Sequence, residues 1–278
     1  MHKIRENCMK WDKAKGRGGG GVEEILRVEH AGLKYQAQNG EVTAFQDISF
    51  TVEKGEFVSI VGPSGCGKST LLSVIAGLLP GATGEVYVKG ERIRGVSQHI
   101  GYMLQRDNLL EWRTILSNVL FGLEIQNKKT PETVARAEQL LRTYGLYEFR
   151  HKYPRQLSGG MRQRVALIRT LAAGPDILLL DEAFSALDYQ TRLTVTEDVY
   201  RILKAEQVTT LMVTHDIPES ISMGDKILIL SQRPAQLKEI LPIVFDAQRT
   251  PLSCRADTRF SRYFDHIWKE LQVHETNE

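Results

Sequence analysis

The stretch Gly62-Pro63-Ser64-Gly65-Cys66-Gly67-Lys68-Ser69-Thr70 constrains this chain more than any other, because it matches G-x-x-x-x-G-K-[ST] between two apolar runs of different character. Phe57 to Val61 before it reads as a strand, and Leu71 to Leu79 after it reads as a helix. A strand, a glycine-rich turn and a helix in that order form a P-loop. Without Cβ atoms, Gly62, Gly65 and Gly67 can take positive φ and let the backbone curl into a nest of N–H groups. The following helix adds the partial positive charge of its N-terminus, so the expected ligand is a nucleotide triphosphate. Lys68 is expected to reach the β and γ oxygens as a point charge, and Thr70 to contact the α phosphate. The Ser69 hydroxyl suits Mg²⁺, which prefers octahedral oxygen and keeps several waters. Cys66 reads as a small loop residue whose alkylation blocks nucleotide entry. The bland alternative is a glycine-rich turn with an incidental Lys-Ser.

P-loops serve kinases, GTPases and helicases alike, so a second set of residues has to choose among them. Ile177-Leu178-Leu179-Leu180 is an apolar run of the kind buried on both faces in a parallel sheet, and Asp181 at its C-terminal end can hold the Mg²⁺ shell. Glu182 follows. A carboxylate there can orient a water in line with the γ phosphorus, in a reaction whose catalysis is mostly positioning and charge stabilisation. Alone, Asp181-Glu182 would read as a strand-ending acidic turn; beside this P-loop it reads as catalytic.

With Leu157-Ser158-Gly159-Gly160-Met161 ahead of that pair, the chain resembles the nucleotide-binding subunit of ATP-binding cassette (ABC) transporters, over roughly Glu23 to Leu241. The resemblance implies a P-loop α/β core with a parallel sheet, an antiparallel β subdomain and an inserted α-helical subdomain. It implies ATP and Mg²⁺ as ligands and ATP hydrolysis as the activity. Tyr35 matches the aromatic position that stacks on adenine, with Phe45 a weaker candidate. Gln105, after Ile100 to Leu104, matches the Q-loop glutamine that contacts Mg²⁺ and water. Ser158, Gly159 and Gly160 match the signature residues that touch the γ phosphate; Met161 departs from the usual glutamine. Ser185-Ala186-Leu187-Asp188 matches the D-loop, and His215, after Thr209 to Thr214, the switch histidine. Ala183 stands where many members have proline, which leaves the Glu182 backbone less restrained.

Ser158 precedes a helix-like stretch, about Gly160 to Ala173, in which Met161, Val165, Ile168 and Ala172 recur at helical spacing before Gly174-Pro175. Its N-terminus is a second anion site. In the resembling family the two phosphate-seeking surfaces come from opposite subunits, so the expected assembly is a homodimer closing over two nucleotides. Such closure is favoured by the γ phosphate and released by hydrolysis. Arg162 and Arg164 read equally as a solvated basic face or as residues with a specific role.

The chain has 278 residues, 42% hydrophobic and 25% charged, which suits one substantial soluble domain with a helical insertion. No apolar run approaches the ~20 residues that span a bilayer, and no secretory segment follows Met1. Cys8, Cys66 and Cys254 are dispersed without metal-ligand spacing, and a net charge of +2 gives no nucleic-acid signal. Residues 1–21 are basic and end in four glycines, a flexible leader; attraction to anionic lipid is the lesser reading. From 22 to 241 runs the cassette domain. Within it, Ile25 to Val28 and Ile48 to Val52 with an Asn39-Gly40 turn suggest antiparallel strands, and a helical subdomain occupies about 106–160. There Thr130-Pro131 opens a helix with Val134, Ala137, Leu141 and Tyr144 on one face and Gly145 closing it. Over 242–278, Phe260, Phe264, Ile267 and Leu271 recur at helical spacing, a tail expected to pack on its own core rather than on a partner.

A single cassette without a membrane span looks like a subunit that docks on a separate transmembrane permease, peripherally at the cytoplasmic face. In such transporters the surface beside the Q-loop receives a permease helix. Leu109, Leu110 and Trp112 are an apolar set there, explained nearly as well by core packing. Leu-Leu-Glu-Trp-Arg-Thr over 109–114 and Phe184 to Asp188 resemble the branch that imports nitrate, sulfonates and taurine, which works with an extracytoplasmic solute-binding protein; Glu111 stands where that branch usually has proline. An exporter ATPase shares all the chemistry. A soluble cassette in translation or DNA repair is the remaining class, disfavoured by one P-loop and no sustained heptads.

Overall fold

The computed structural model describes residues 23–37, 40–246 and 248–272; the leader over 1–21 with Cys8, and Asn39 of the expected turn, lie outside them. The chain divides into two compact units, one formed by the described residues up to Ser97 and from Thr209, the other by Gln98–Val208.

The first unit opens with two long antiparallel strands, β1 (Glu24–Ala37) and β2 (Gly40–Glu53), with Leu26 opposite Val52 and Val28 opposite Phe50. Their alternating apolar residues put Leu26, Val28, Ile48 and Val52 into the core. β3 (Phe57–Val61) is buried at all five positions, as a strand covered on both faces has to be. The P-loop leads into α1 (Lys68–Ile75). This helix starts three residues before the apolar run and stops short of Leu79, because Gly77 turns left-handed at φ 71°. A Cβ on Gly77 would lie 2.0 Å from the Gly95 carbonyl oxygen, so only glycine fits. β4 (Thr83–Val88) pairs antiparallel with β1 and turns back into β5 (Glu91–Arg92), giving a sheet ordered β2-β1-β4-β5.

The second unit begins with β6 (Ile100–Met103) and continues through α2 (Ile115–Val119), α3 (Phe121–Ile125), α4 (Pro131–Thr143) and α5 (Gly159–Ala172). β7 (Ile177–Asp181) and α6 (Tyr189–Ala205) close it. β6 and β7 run parallel, from Ile100 opposite Ile177 to Met103 opposite Leu180. Gly101 is a glycine for space: a Cβ there would meet Thr170 Cγ2 at 2.6 Å. α4 starts as its sequence signals indicate, with Pro131 in the first turn and a reciprocal Thr130–Thr133 capping box. Gly145 follows it at φ 71°.

The chain then returns to the first unit through β8 (Thr209–Val213), α7 (Ile217–Met223), β9 (Lys226–Leu230) and β10 (Leu237–Pro242). β8 and β9 flank β3 in parallel and β10 runs antiparallel to β9. Beneath this sheet Lys226 Nζ donates to Glu56 Oε2 at 2.8 Å and to the Thr51 carbonyl at 2.9 Å, a buried charge pair with a backbone partner. The tail forms α8 (Pro251–Ala256) and α9 (Thr258–Gln272). Ile267, fully buried, joins Val61, Ile217, Ile221, Ile227, Ile229 and Ile243, with Phe260, Phe264 and Leu271 partly buried against that cluster. The tail therefore packs on its own unit's core. Burying Ile267 alone contributes about 2 kcal/mol. Arg249 fastens the approach to α8 by donating to the Gly224 carbonyl and to Asp225 Oδ1, both at 2.8 Å.

Candidate nucleotide site

The P-loop of the first unit has the backbone that an anion nest needs. Gly65 sits at φ 72° and Gly67 at φ 113°, conformations that L side chains rarely adopt. Gly62 differs from the expectation, since its φ is not positive. It is a glycine because an added Cβ would meet Cys66 Sγ at 3.0 Å and Leu230 Cβ at 3.1 Å. Gly67 caps α1 and lies against β2, where a Cβ would come 3.3 Å from the Ala44 carbonyl oxygen. Lys68 is buried, with Nζ donating to the carbonyls of Gly62 at 2.8 Å and Pro63 at 2.9 Å, so its ammonium is held inside the loop's curl. Ser64, Gly65 and Ser69 are exposed.

Cys66 corrects the sequence reading. It is 1% exposed and burial pushes its thiol up, against the lowering effect of Lys68, so an alkylating reagent does not reach it with the loop in this conformation. Phe45, too, is fully buried, packed under Gly67, and is not available for stacking. Tyr35 is: it is 38% exposed near the end of β1, and its hydroxyl donates to Thr70 Oγ1 at 3.4 Å, which places the ring beside the first turn of α1. His215 stands exposed between the buried β8 and Asp216, the cap of α7. Asp216 N–H donates to Thr214 Oγ1 at 3.0 Å and Asp216 Oδ1 accepts from Glu219 N–H at 2.9 Å, which fixes the backbone on either side of the imidazole.

The second unit assembles the carboxylates. Asp181 ends β7 at 9% exposure, its Oδ2 accepting from the Tyr102 hydroxyl on β6 at 3.1 Å. Glu182 has φ 46°, a left-handed backbone that is strained for this residue type. Ser185 holds the turn, Oγ donating to the Glu182 carbonyl at 2.9 Å, while Gln105 Nε2 donates to Ser185 Oγ at 3.1 Å and to Glu182 Oε2 at 3.4 Å. Gln105, Glu182 and Ser185 thus form one hydrogen-bonded group. Asp188 caps α6, accepting from Thr191 N–H at 3.0 Å, and its hydrogen bonds to Thr191 hold the carboxyl below the usual range. Arg192 clamps the connecting loop, donating to the Leu187 carbonyl at 2.9 Å and the Ser185 carbonyl at 3.4 Å. Sequence reasoning missed Tyr102 and Arg192; only the placement of Arg192 one turn after the Asp188 cap hinted at it.

In the same unit Ser158 caps α5, its Oγ accepting from Met161 N–H at 3.3 Å. Gly160 is required for packing, since a Cβ would lie 2.8 Å from Val195 Cγ2. That brings the helix start close against α6, with Ser158 and Gly159 exposed. Arg162 and Arg164 are not a merely solvated face. Arg162 binds Asp107 through Nε at 2.8 Å and Nη2 at 3.0 Å, and Arg164 Nη1 lies 3.3 Å from Asp198 Oδ2. The apolar set after Gln105 divides: Leu109 is buried at 6% exposure, Leu110 is half-buried, and Trp112 is 75% exposed.

A P-loop under a parallel sheet, a strand-end Asp-Glu pair and a second helix N-terminus built of Ser-Gly-Gly define a P-loop ATPase of the cassette class. The family described as ABC transporter matches residues 45–185. The chain is 47% identical to YtlC of Bacillus subtilis, an uncharacterized ABC transporter ATP-binding protein, over 89% of this chain and 95% of that one. It is 39% identical to the nitrate import ATP-binding protein NrtD of Synechocystis, over 91% and 97%. Among solved structures, the dimeric post-hydrolysis state of the cassette MJ0796 bound to ADP and Pi superposes with a TM-score of 0.66 at 28% identity, covering 80% of this chain and all of that one. The chain belongs to the ABC transporter family and is one of its ATP-hydrolysing cassettes.

Proposed function

We propose that this chain is the ATPase subunit of an importer, working as a homodimer at the cytoplasmic face of the membrane and driving a small anion such as nitrate, a sulfonate or taurine through a separate permease supplied by a solute-binding protein. The observation that carries docking is Trp112, 75% exposed on the loop after Gln105. Asn118, fully buried, accepts from Leu110 N–H at 2.7 Å and donates to the carbonyls of Leu110 and Arg113 at 3.1 Å and of Thr114 at 3.0 Å. A large aromatic presented on a stapled loop is the form of a protein contact. Its place directly after Gln105 ties that contact to the nucleotide chemistry. The anion class is supported by the nitrate relative and the 109–114 segment. No helix among the described residues is long and apolar enough to cross a membrane.

In this reading the backbone N–H groups of Gly62, Ser64, Gly65, Cys66 and Gly67 cradle the phosphates, Lys68 neutralises the β and γ oxygens, Thr70 contacts the α phosphate and Tyr35 stacks on adenine. By the resemblance, Mg²⁺ would be held by the Ser69 hydroxyl, the Asp181 carboxylate and the Gln105 amide oxygen, oxygen donors of the kind it prefers, the Gln105 amide nitrogen being turned to Glu182 and Ser185. A cation held there would neutralise charge on the phosphates. Glu182 orients the attacking water and His215 contacts the γ phosphate. Ser158, Gly159, Gly160 and Asp188 meet the nucleotide of the partner cassette. The test is affinity purification of the tagged chain from detergent-solubilised membranes of its source. Recovery of a multi-span permease is expected; reproducible recovery of ribosomes or repair proteins without one would overturn the proposal.

A further inference from the structure

Two arginines one heptad apart on α5 grip the segment that follows Gln105. Arg162 makes a bidentate contact with Asp107 and reaches Glu111 Oε1 through Nη2 at 2.7 Å. Arg169 donates to the backbone, Nη2 to the Asp107 carbonyl and Nη1 to the Asn108 carbonyl, both at 2.7 Å. Asp107 also accepts from Leu109 N–H at 3.0 Å, which closes the turn between the two grips. The carboxylate is 19% exposed and the guanidinium of Arg162 23%, so this ion pair is shielded more than an ordinary surface pair. Burial would raise the Asp107 carboxyl, but the hydrogen bonds from Arg162 hold it below the usual range. Arg162 lies in the first full turn of α5, four residues after its cap Ser158.

We infer that Arg162 is a positioning residue for ATP-driven pairing of cassettes: through Asp107 and Glu111 it locks the Gln105–Trp112 segment to the start of α5, so that Ser158, Gly159 and Gly160 are presented in the orientation set by that segment. Neither group need touch nucleotide. A planar fork held by two carboxylates fixes rotation of the helix end as well as its distance, which a flexible lysine would not do. The consequence is that anything pressing on Trp112 moves the signature residues as one piece with it. The inference rests on the proposed dimer, and the test separates the two.

In a Glu182→Gln background, the ATP concentration giving half-maximal dimer is measured by light scattering, alongside binding of fluorescent ATP to the dilute monomer. Arg162→Gln is expected to raise the dimerisation midpoint about tenfold, with Arg162→Lys between it and the parent, while monomer affinity is unchanged because the P-loop is untouched. Asp107→Asn is expected to match Arg162→Gln, and the double variant to be no worse than either, the non-additivity of a shared interaction. Should Arg162→Gln fail to fold, Arg162→Lys and Asp107→Asn carry the same comparison. An unchanged midpoint, or a rise in the midpoint matched by an equal loss of monomer affinity, overturns the positioning role. If the Glu182→Gln parent itself never dimerises with ATP, the proposed assembly falls first and this inference with it.

Discussion

Glu182 is held at φ 46°, where a non-glycine residue costs roughly 1–2 kcal/mol, and nothing but the chemistry of a carboxylate explains why glycine is not there. Glu182→Ala and Glu182→Gly both remove the carboxylate and its 3.4 Å contact with Gln105, so comparing them isolates the backbone. Glycine relieves the left-handed strain but gives the unfolded chain more freedom, which returns about 0.4–1 kcal/mol. The net expectation is that Glu182→Gly is more stable than Glu182→Ala by about 0.5–1 kcal/mol, or about 1–4 °C in Tm for a protein of this size. Hydrolysis moves the other way. Loss of a water-orienting carboxylate lowers turnover by about 10²–10⁴ in both variants. The assays are urea and thermal unfolding without nucleotide and steady-state phosphate release at saturating ATP. Equal stability of the two variants would refute the claim that strain is stored at this position, and wild-type turnover in Glu182→Ala would remove Glu182 as the catalytic carboxylate.

Mixing Lys68→Ala chains with Ser158→Ala chains gives heterodimers with one intact composite site. Recovery of hydrolysis above either variant alone is expected, and its absence with proven subunit exchange would mean strictly coupled sites or a different pairing. Because the folded Asp107 carboxyl lies below its unfolded value, its ion pair stabilises the protein above about pH 4 and that stability is lost as pH falls through the folded value. Asp107→Asn should therefore flatten the acid limb of a stability–pH curve, and an unchanged limb counts against the pair. Ile267→Ala should cost about 2–4 kcal/mol in urea unfolding, since Ile267 is fully buried among six core residues; a loss under about 0.5 kcal/mol would show that α9 is not part of that core.

Much of the site was legible because its signals are local. The P-loop spacing, the five-residue buried runs at Phe57–Val61 and Ile177–Asp181, the Thr130 and Ser158 caps and the helical period of Phe260 to Leu271 each lie within one or two turns of chain. Hydrogen-bonding geometry and alternation of faces act over that range, so the residues alone determine them. What the sequence could not show are choices made by residues far apart. Tyr35 and the weaker candidate Phe45 both remain open as aromatic partners until the packing of Gly67 on β2 buries Phe45 and leaves Tyr35 beside Thr70. Gly62 looks like a left-handed glycine, yet what favours glycine there is the close packing of Cys66 and Leu230, which a Cβ would meet at 3.0 and 3.1 Å. Arg162 reads equally as a solvated charge or as a residue with a specific role until the fold brings Asp107 to it from 55 positions away. Leu109 and Trp112 belong to one apolar set in the sequence, and only the loop stapled by Asn118 buries the first and exposes the second. The chain's own residues thus determined that it binds and hydrolyses a nucleotide, because backbone nests and strand-end carboxylates are built from contiguous sequence. Which side chains face solvent, which are locked together and how the signature helix is tied to the segment after Gln105 were decided by tertiary structure, because packing and charge pairing depend on distance in space rather than along the chain.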